Sequence, residues 1–299
     1  MDIKAFAKIN LGLDVLARRP DGYHEVRMIM QSIELHDEIR IETITEDRIE
    51  LLLSGQTPDV PADGRNIMYK AAELMKERYG IGSGIRISAA KHIPSQAGLG
   101  GGSADAAAVL RGMRELFCPE LPDNELMELG LRLGADVPFC IMNGTALSEG
   151  IGEKLTGLRP APGFFVLLAK PSEGVSTKDI YEAIDQSGLM EDPEGRKIRK
   201  EHMDALLQSV ENQERDMLSG NLFNIFEEVT GRRLPQIMKL RDRLYGLSAK
   251  GALMSGSGPT VYGLFDTEPD MDRAYEALLP DLHSGELSDL VRTKTITGE

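Results

Sequence analysis

The chain has 299 residues, 41% hydrophobic and 27% charged, with a formal net charge of −14. That is core material for one large or two medium domains, and so acidic a chain argues against a nucleic-acid footprint or an anionic membrane surface as partner. Cys118 and Cys140 lie in apolar surroundings and read as buried thiols rather than a disulfide or metal site, residues 1–4 do not open a signal peptide, and no apolar run approaches a membrane span, so a cytoplasmic protein is expected.

Residues 3–16 alternate, with Ile3, Ala5, Ala7, Ile9, Leu11, Leu13 and Val15 on one face and Lys4, Phe6, Lys8, Asn10, Gly12 and Asp14 on the other. This predicts a long strand whose polar face ordinarily meets solvent and on which Lys8 and Asn10 stand side by side. Pro20-Asp21-Gly22 is a turn signal, followed by Tyr23 and His24. Strands are expected over 26–35, 38–43 and 48–53, and a loop over 56–65. A helix follows over 66–79, stopped by Gly80, and then a strand over 85–90.

The stretch Pro94-Ser95-Gln96-Ala97-Gly98-Leu99-Gly100-Gly101-Gly102-Ser103-Ala104 joins that strand to an Ala- and Leu-rich helix expected over 106–117. Four glycines in five residues let backbone N–H groups converge without interference from Cβ atoms. The start of a helix adds free N–H groups and the positive end of its dipole, and together these make a phosphate cradle. The stretch lacks the Gly-Lys-Ser/Thr ending of a Walker A loop and the third glycine of a dinucleotide fingerprint. The plainer alternative is a turn whose Ser103 caps the helix.

Pro122 and Asp123 open a further helix running to about 133, and Gly134-Ala135-Asp136-Val137-Pro138 breaks it before an apolar run, 139–142. In that setting Asp136 reads as an ordinary capping or helix-ending carboxylate. The Gly- and Pro-rich stretch near 150–162 marks a domain boundary, giving domains of about 1–155 and 156–299. Beyond it a strand is expected over 164–169 and a helix over 176–184. A polar surface excursion over 186–201 precedes helices near 203–210, 214–229 and 235–247. A second glycine turn, Met254-Ser255-Gly256-Ser257-Gly258-Pro259-Thr260, leads into a strand ending at 265, with a helix over 269–279 and a last strand over 289–297. The mixture predicts an α+β protein.

Three stretches taken together, Ala7-Lys8-Ile9-Asn10-Leu11, 94–108 and 254–261, resemble the motifs of the GHMP kinases in order and spacing over essentially the whole chain. The resemblance implies a two-domain fold, an N-terminal ATP-binding domain and a C-terminal α/β-sandwich (ferredoxin-like) domain. Arg19-Pro20-Asp21-Gly22-Tyr23-His24-Glu25 and Leu133-Gly134-Ala135-Asp136-Val137-Pro138 are similar to the branch of that family that phosphorylates a tertiary hydroxyl of a cytidine diphosphate sugar alcohol, in the non-mevalonate route to isoprenoid precursors. Homoserine- or mevalonate-type kinases are the alternative within the family, against which the Asp-Gly-Tyr-His element speaks. A nucleotide-binding module without turnover is the alternative outside it.

The resemblance also implies roles for particular residues. ATP is the co-substrate, its phosphates held by 94–104, with Mg²⁺ as the accompanying metal and Ser103 as a phosphate or Mg²⁺ contact. Asn66 and Lys91 fall where relatives meet the adenine end. Asp136 is the general base, with Lys8 as its charge partner, because a neighbouring ammonium keeps a carboxylate ionised and oriented. Asn10, Gly256 and Ser257 belong to the substrate side, and Tyr23 and His24 to the cytidine end. The aromatic that stacks on cytosine in some members falls at Met30, where the ring is lost, and Tyr181 is placed to supply the other half of the sandwich.

Overall fold

The computed structural model describes residues 1–55 and 60–297, so positions 56–59 of the expected loop lie outside the described residues. Two compact units emerge: residues 1–8, 35–95 and 100–143 form the first, and 9–34, 96–99 and the chain from 144 onward form the second. The long strand predicted at the start is β1 (Asp2–Arg18). Its polar face is not solvated: from Ala7 to Val15 every residue is buried, including Lys8, Asn10 and Asp14. The two strands expected over 26–43 are one strand, β2 (His24–Ile44).

In the first unit β3 (Ile49–Gly55) runs parallel to β4 (Gly84–Lys91), and β4 pairs antiparallel with the end of β2, from Glu38 opposite Ala90 to Ile44 opposite Gly84. The order is β3-β4-β2-β1. Between β3 and β4 comes α1 (Ile67–Tyr79), capped by the Asn66 side chain at one end and by left-handed Gly80 at the other. Helix α2 (Gly101–Phe117) lies so close to the sheet that a Cβ at Gly112 would come within 2.4 Å of Ile3 and 2.5 Å of Ile41. Two shorter helices, α3 (Asp123–Leu131) and α4 (Val137–Met142), pack with it. The apolar run at 139–142 is thus helical. Cys140 is buried, as expected, whereas Cys118 is only half-buried, and both are free thiols.

In the second unit Val26–Gln31 of β2 pair antiparallel with β5 (Thr145–Gly150), which pairs with β6 (Lys154–Gly157). The Gly- and Pro-rich stretch therefore hides a hairpin. A second, fully antiparallel sheet has the order β11-β7-β10-β9, built from β7 (Phe165–Pro171), β9 (Gly251–Met254), β10 (Val261–Phe265) and β11 (Leu287–Lys294). Helices α9 (Gln236–Gly246) and α10 (Glu268–Ser284) pack against it. Helix α5 (Thr177–Ser187) is capped by Ser176.

The polar stretch read as a surface excursion is instead the first part of α6 (Pro193–Asn212). Asp192 accepts from the N–H groups of Glu194 and Gly195, Pro193 opens the first turn, and Arg199, Met203, Leu206 and Val210 form a buried stripe. The expected helix 214–229 breaks into α7 (Arg215–Gly220), a two-residue strand β8 (Phe223–Asn224) parallel to Gly12 and Leu13, and α8 (Phe226–Arg233). Asn224 supplies the break, because its side chain accepts from the Phe226 N–H at 3.0 Å.

Arg199 is buried because β1 needs it. Its Nε donates to Asp14 Oδ1 at 2.7 Å, with both side chains less than a tenth exposed. Burial pushes the Asp14 carboxyl above its usual range, against the pull of Arg199. Removing one partner leaves the other as an uncompensated buried charge. Asp14→Ala is therefore expected to cost about 3–5 kcal/mol, and replacing both residues by apolar side chains of similar size to recover most of it. Thermal and urea melts of the single and double variants check this.

Candidate active site

Lys8 reaches the site because β1 buries it. It is 4% exposed, and its Nζ stands 3.5 Å from Asp136 Oδ2. Asp136 occupies the N-cap position of α4, and its carbonyl accepts from the Cys140 N–H at 3.1 Å, but its side chain makes no capping hydrogen bond. The capping reading of the sequence is thus only half right: the backbone starts the helix while the carboxylate faces the lysine. It keeps about a third of its surface exposed, so it remains reachable. The Cys140 thiol beside this pair is raised far above its ordinary value, chiefly by burial, and carries no thiolate chemistry.

The glycine stretch turns directly into α2. Gly100, at φ 71°, is the N-cap, with no side-chain cap, and its carbonyl accepts from the Ala104 N–H at 2.8 Å. Ser103 is therefore inside the first turn and does not cap the helix. The N–H groups of Gly101, Gly102 and Ser103 have no intrahelical acceptor, the arrangement that binds anions. Lys8 packs its stem against the same turn, since a Cβ on Gly100 would stand 3.0 Å from Lys8 Cγ. Of the two residues expected near adenine, Asn66 is 4% exposed and engaged at the helix start: it accepts from Met68 N–H at 2.8 Å and donates to the Pro61 carbonyl at 2.7 Å. Lys91 is buried between the carboxylates of Asp37 and Asp105.

In the second unit the residues 96–99 lie against the second glycine turn. The Ser255 hydroxyl donates to the Gly98 carbonyl at 2.9 Å, and a Cβ on Gly98, itself at φ 71°, would fall 2.2 Å from the Ser255 carbonyl oxygen. Ala97 and Leu99 are buried anchors. Asn10 is completely buried, and its Oδ1 accepts from the Gly256 N–H at 3.1 Å. It holds the turn as much as it could hold a substrate. Ser257 shares a hydrogen bond with Thr177 at 2.8 Å. Two further supports carry no local motif. Asn224 donates to the carbonyls of Met254 and Gly256, both at 2.8 Å, and buried Glu227 accepts from the Met254 N–H at 2.8 Å.

A third cluster surrounds His24, also in the second unit. Its ring lies on Tyr181 with centroids 4.7 Å apart and an interplanar angle of 33°, and Tyr181 meets the edge of Phe226 at 4.9 Å. His24 Nε2 is 2.7 Å from Asp185 Oδ1, and Arg18 approaches the other oxygen of that carboxylate at 3.3 Å. Asp185 and Phe226 are additions to the predicted set, carrying no local motif. Tyr23 is 61% exposed at the tip of its turn, whereas Met30 is fully buried in β2. Among the described residues no group of three or more His, Cys, Asp or Glu is arranged to hold a metal ion, and no helix is long and apolar enough to cross a membrane.

A buried lysine facing a carboxylate beside an anion-binding helix start is the equipment of a phosphoryl-transfer enzyme. Residues 66–144 match the GHMP kinases N terminal domain and residues 203–282 the GHMP kinases C terminal domain. The chain belongs to the GHMP kinase family, as its motifs imply, with that family's two-domain α+β fold. Within it the chain stands with the 4-diphosphocytidyl-2-C-methyl-D-erythritol kinases. The relative of that name from Caldicellulosiruptor saccharolyticus is 47% identical over 278 residues, covering 93% of this chain and 92% of its own. The one from Clostridium beijerinckii is 44% identical over 296 residues, 99% of this chain and 100% of its own. A crystal structure of 4-(cytidine 5'-diphospho)-2C-methyl-D-erythritol kinase matches with a TM-score of 0.78 at 32% identity, over 100% of both chains. Homoserine kinase from Cytophaga hutchinsonii shares the fold, with a TM-score of 0.80 at 17% identity over 99% of this chain and 95% of its own.

The two glycines at the start of α2 answer differently to a methyl group. Gly100 has a left-handed backbone and the Lys8 stem against it, whereas Gly102 has open space as far as Ile67, 3.7 Å away. Gly102→Ala is expected to fold with an unchanged melting temperature. Gly100→Ala should lose roughly 1–2 kcal/mol through backbone strain alone. Melts of the two variants side by side check the contrast.

Proposed function

We propose that this chain transfers the γ-phosphoryl group of ATP to the 2-hydroxyl of 4-diphosphocytidyl-2-C-methyl-D-erythritol, with Asp136 as general base and Lys8 as its charge partner. The observation that carries the reading is the Asp136 carboxylate, which stands at a helix cap, makes no capping bond and faces a buried ammonium 3.5 Å away. A tertiary alcohol is a weak nucleophile at neutral pH, and a carboxylate within hydrogen-bond reach accepts its proton as the oxygen attacks phosphorus. Lys8 orients that carboxylate and adds positive charge where the transferring group gathers negative charge. In a chain of net charge −14, such a local cation is what an anionic nucleotide requires.

The first turn of α2, with its free N–H groups, holds the triphosphate, and residues 94–104 make up the loop around it. Mg²⁺ takes few protein ligands and keeps phosphate oxygens and waters as the rest of its shell. The half-exposed Ser103 hydroxyl in that turn fits the part of a single protein contact. When bound, the ion would offset the negative charge of the phosphates. His24, backed by Tyr181 and tied to Asp185, reads the cytosine edge; Tyr23 flanks the base; Asn10, Gly256 and Ser257 shape the substrate side. Asn66 and Lys91 act on the adenine end through the backbone they fix rather than through free side chains. The division into domains at about residue 155 is supported by the two family matches, which fall one on each side of it.

Purified protein is expected to consume ATP only with Mg²⁺ and the cytidyl substrate together. Equal turnover with homoserine or mevalonate would overturn the substrate reading. Asp136→Asn should lower kcat by about 10²–10⁴-fold with both ligands still bound, the usual worth of a general base. Lys8→Met should lower it too, and the double variant should be no worse than the poorer single one, because the pair acts as a unit. His24→Ala should raise KM for the cytidyl substrate while leaving KM for ATP and kcat nearly unchanged, as measured by initial rates with each ligand varied in turn.

A further inference from the structure

The cluster around His24 holds a carboxylate that phosphoryl transfer does not call for. Asp185 lies in the last turn of α5, four residues beyond Tyr181, so the two side chains share one face of the helix. Tyr181 packs against the His24 ring with centroids 4.7 Å apart, and the edge of Phe226 backs Tyr181 at 4.9 Å. Asp185 meets the rim of the same imidazole, its Oδ1 standing 2.7 Å from His24 Nε2. Its Oδ2 is the oxygen that Arg18, at the end of β1, approaches at 3.3 Å. Both carboxylate oxygens are thus committed. Tyr181 sets the plane of the imidazole, and Asp185 sets its rotation within that plane.

We infer that Asp185 is the positioning residue that makes this site choose cytosine over uracil, by fixing the tautomer of His24. The inference rests on reading His24 as the residue at the cytosine edge. An ionised carboxylate offers lone pairs only, so the hydrogen in its short contact with the ring belongs to Nε2. A neutral imidazole carries one N–H, so Nδ1 keeps its lone pair and is an acceptor. The two pyrimidines differ at the group such an acceptor would meet. Cytosine presents an exocyclic amine, a donor, where uracil, like thymine, presents a carbonyl oxygen. The acceptor nitrogen gains a hydrogen bond from the first and sets lone pair against lone pair with the second. The opposite tautomer, with its hydrogen on Nδ1, would reverse the preference.

Aromatic packing alone does not supply this choice. Stacking is tolerant of base identity, because every base has a π-face. Tyr181 and the exposed Tyr23 can therefore hold a pyrimidine without telling which one it is. An imidazole held only by its flat face could carry its hydrogen on either nitrogen and present a donor or an acceptor. Asp185 removes that freedom. The logic is that of a carboxylate behind a metal-bound histidine, where the outer group sets the tautomer and the other ring nitrogen makes the contact that matters. Asp185 acts through His24, and its effect falls on which base is accepted rather than on the reacting hydroxyl.

Two measurements on the full chain test this. One is inhibition by CDP and by UDP against varied cytidyl substrate at saturating Mg²⁺–ATP. The other is nitrogen-15 NMR of the histidine rings at about pH 8, where an imidazole is ordinarily neutral; the His24 signals are those missing from His24→Ala. In the wild type Nε2 should carry the hydrogen and Nδ1 should be bare. CDP should inhibit about tenfold or more better than UDP, the scale of a hydrogen bond whose loss leaves polar groups unpaired. Asp185→Asn keeps the shape, but its amide serves either tautomer, accepting from Nε2 or donating to it. The ratio of the two inhibition constants should therefore fall toward one, with KM for the cytidyl substrate raised and kcat nearly unchanged. A merely structural loss would weaken CDP and UDP alike and leave the ratio where it was. A hydrogen on Nδ1 in the wild type overturns the proposal even if Asp185→Asn fails to fold, and so does an unchanged ratio in Asp185→Asn. If His24→Ala is inhibited by both nucleotides as the wild type is, the cytidine site is misplaced and the proposal falls with it. If His24→Ala weakens CDP while Asp185→Asn keeps the wild-type ratio, only the role of Asp185 fails.

Discussion

Lys8, Asn10 and Asp14 stand on one face of a strand that is buried along its middle, and every polar atom there must find a partner or destabilise the fold. Each solution shapes a different part of the molecule. Lys8 is answered by Asp136, which draws a carboxylate out of a capping role at the start of α4. Asn10 is answered by the Gly256 N–H, and the Tyr262 hydroxyl donates to its carbonyl at 2.8 Å, so the second glycine turn is tied to β1. Asp14 is answered by Arg199, which obliges a charge-rich stretch to become a helix and bring its arginine inward. Between Asn10 and Asp14, Gly12 leaves no room for a side chain: a Cβ there would meet Leu206 at 2.7 Å.

The same economy governs the glycine stretch that we propose holds the phosphates. A helix start that must present its N–H groups to an anion cannot spend them on a side-chain cap, and α2 accordingly begins at a glycine in the left-handed region. The loop is then held from outside. Ser255 fastens Gly98, and the carboxylate of Asp37 fastens the strand leading in. Rigidity of this kind is what phosphoryl transfer asks of a protein, since its contribution lies in positioning and charge rather than in covalent chemistry.

Charge is placed with similar selectivity. Lys8 and Lys91 are both buried lysines near the glycine stretch in sequence or space, but their surroundings differ. Lys91 is matched by two carboxylates, whereas Lys8 stands 3.5 Å from one that remains partly open to solvent. That contrast sets a fully matched lysine apart from one beside an open carboxylate, and a sequence motif containing either lysine cannot express it.

By itself the sequence determined the long first strand, α1 with its Asn66 and Gly80 ends and the glycine stretch between a strand and a helix, because these rest on local signals: alternation, caps and glycine spacing; the family was legible in the resemblance of its motifs. The Lys8–Asp136 pairing was legible only through the resemblance, since 128 positions separate the two residues and local reading favours a cap for Asp136. What only the tertiary structure decided were the long-range partners. Asp185 behind His24, Asn224 and Glu227 behind the second glycine turn, Arg199 inside α6 and Asp37 beside Lys91 sit in stretches with no motif. Their roles arise because a buried polar group recruits whatever the fold brings within hydrogen-bond reach, and that reach is a property of packed space rather than of neighbouring residues in the chain.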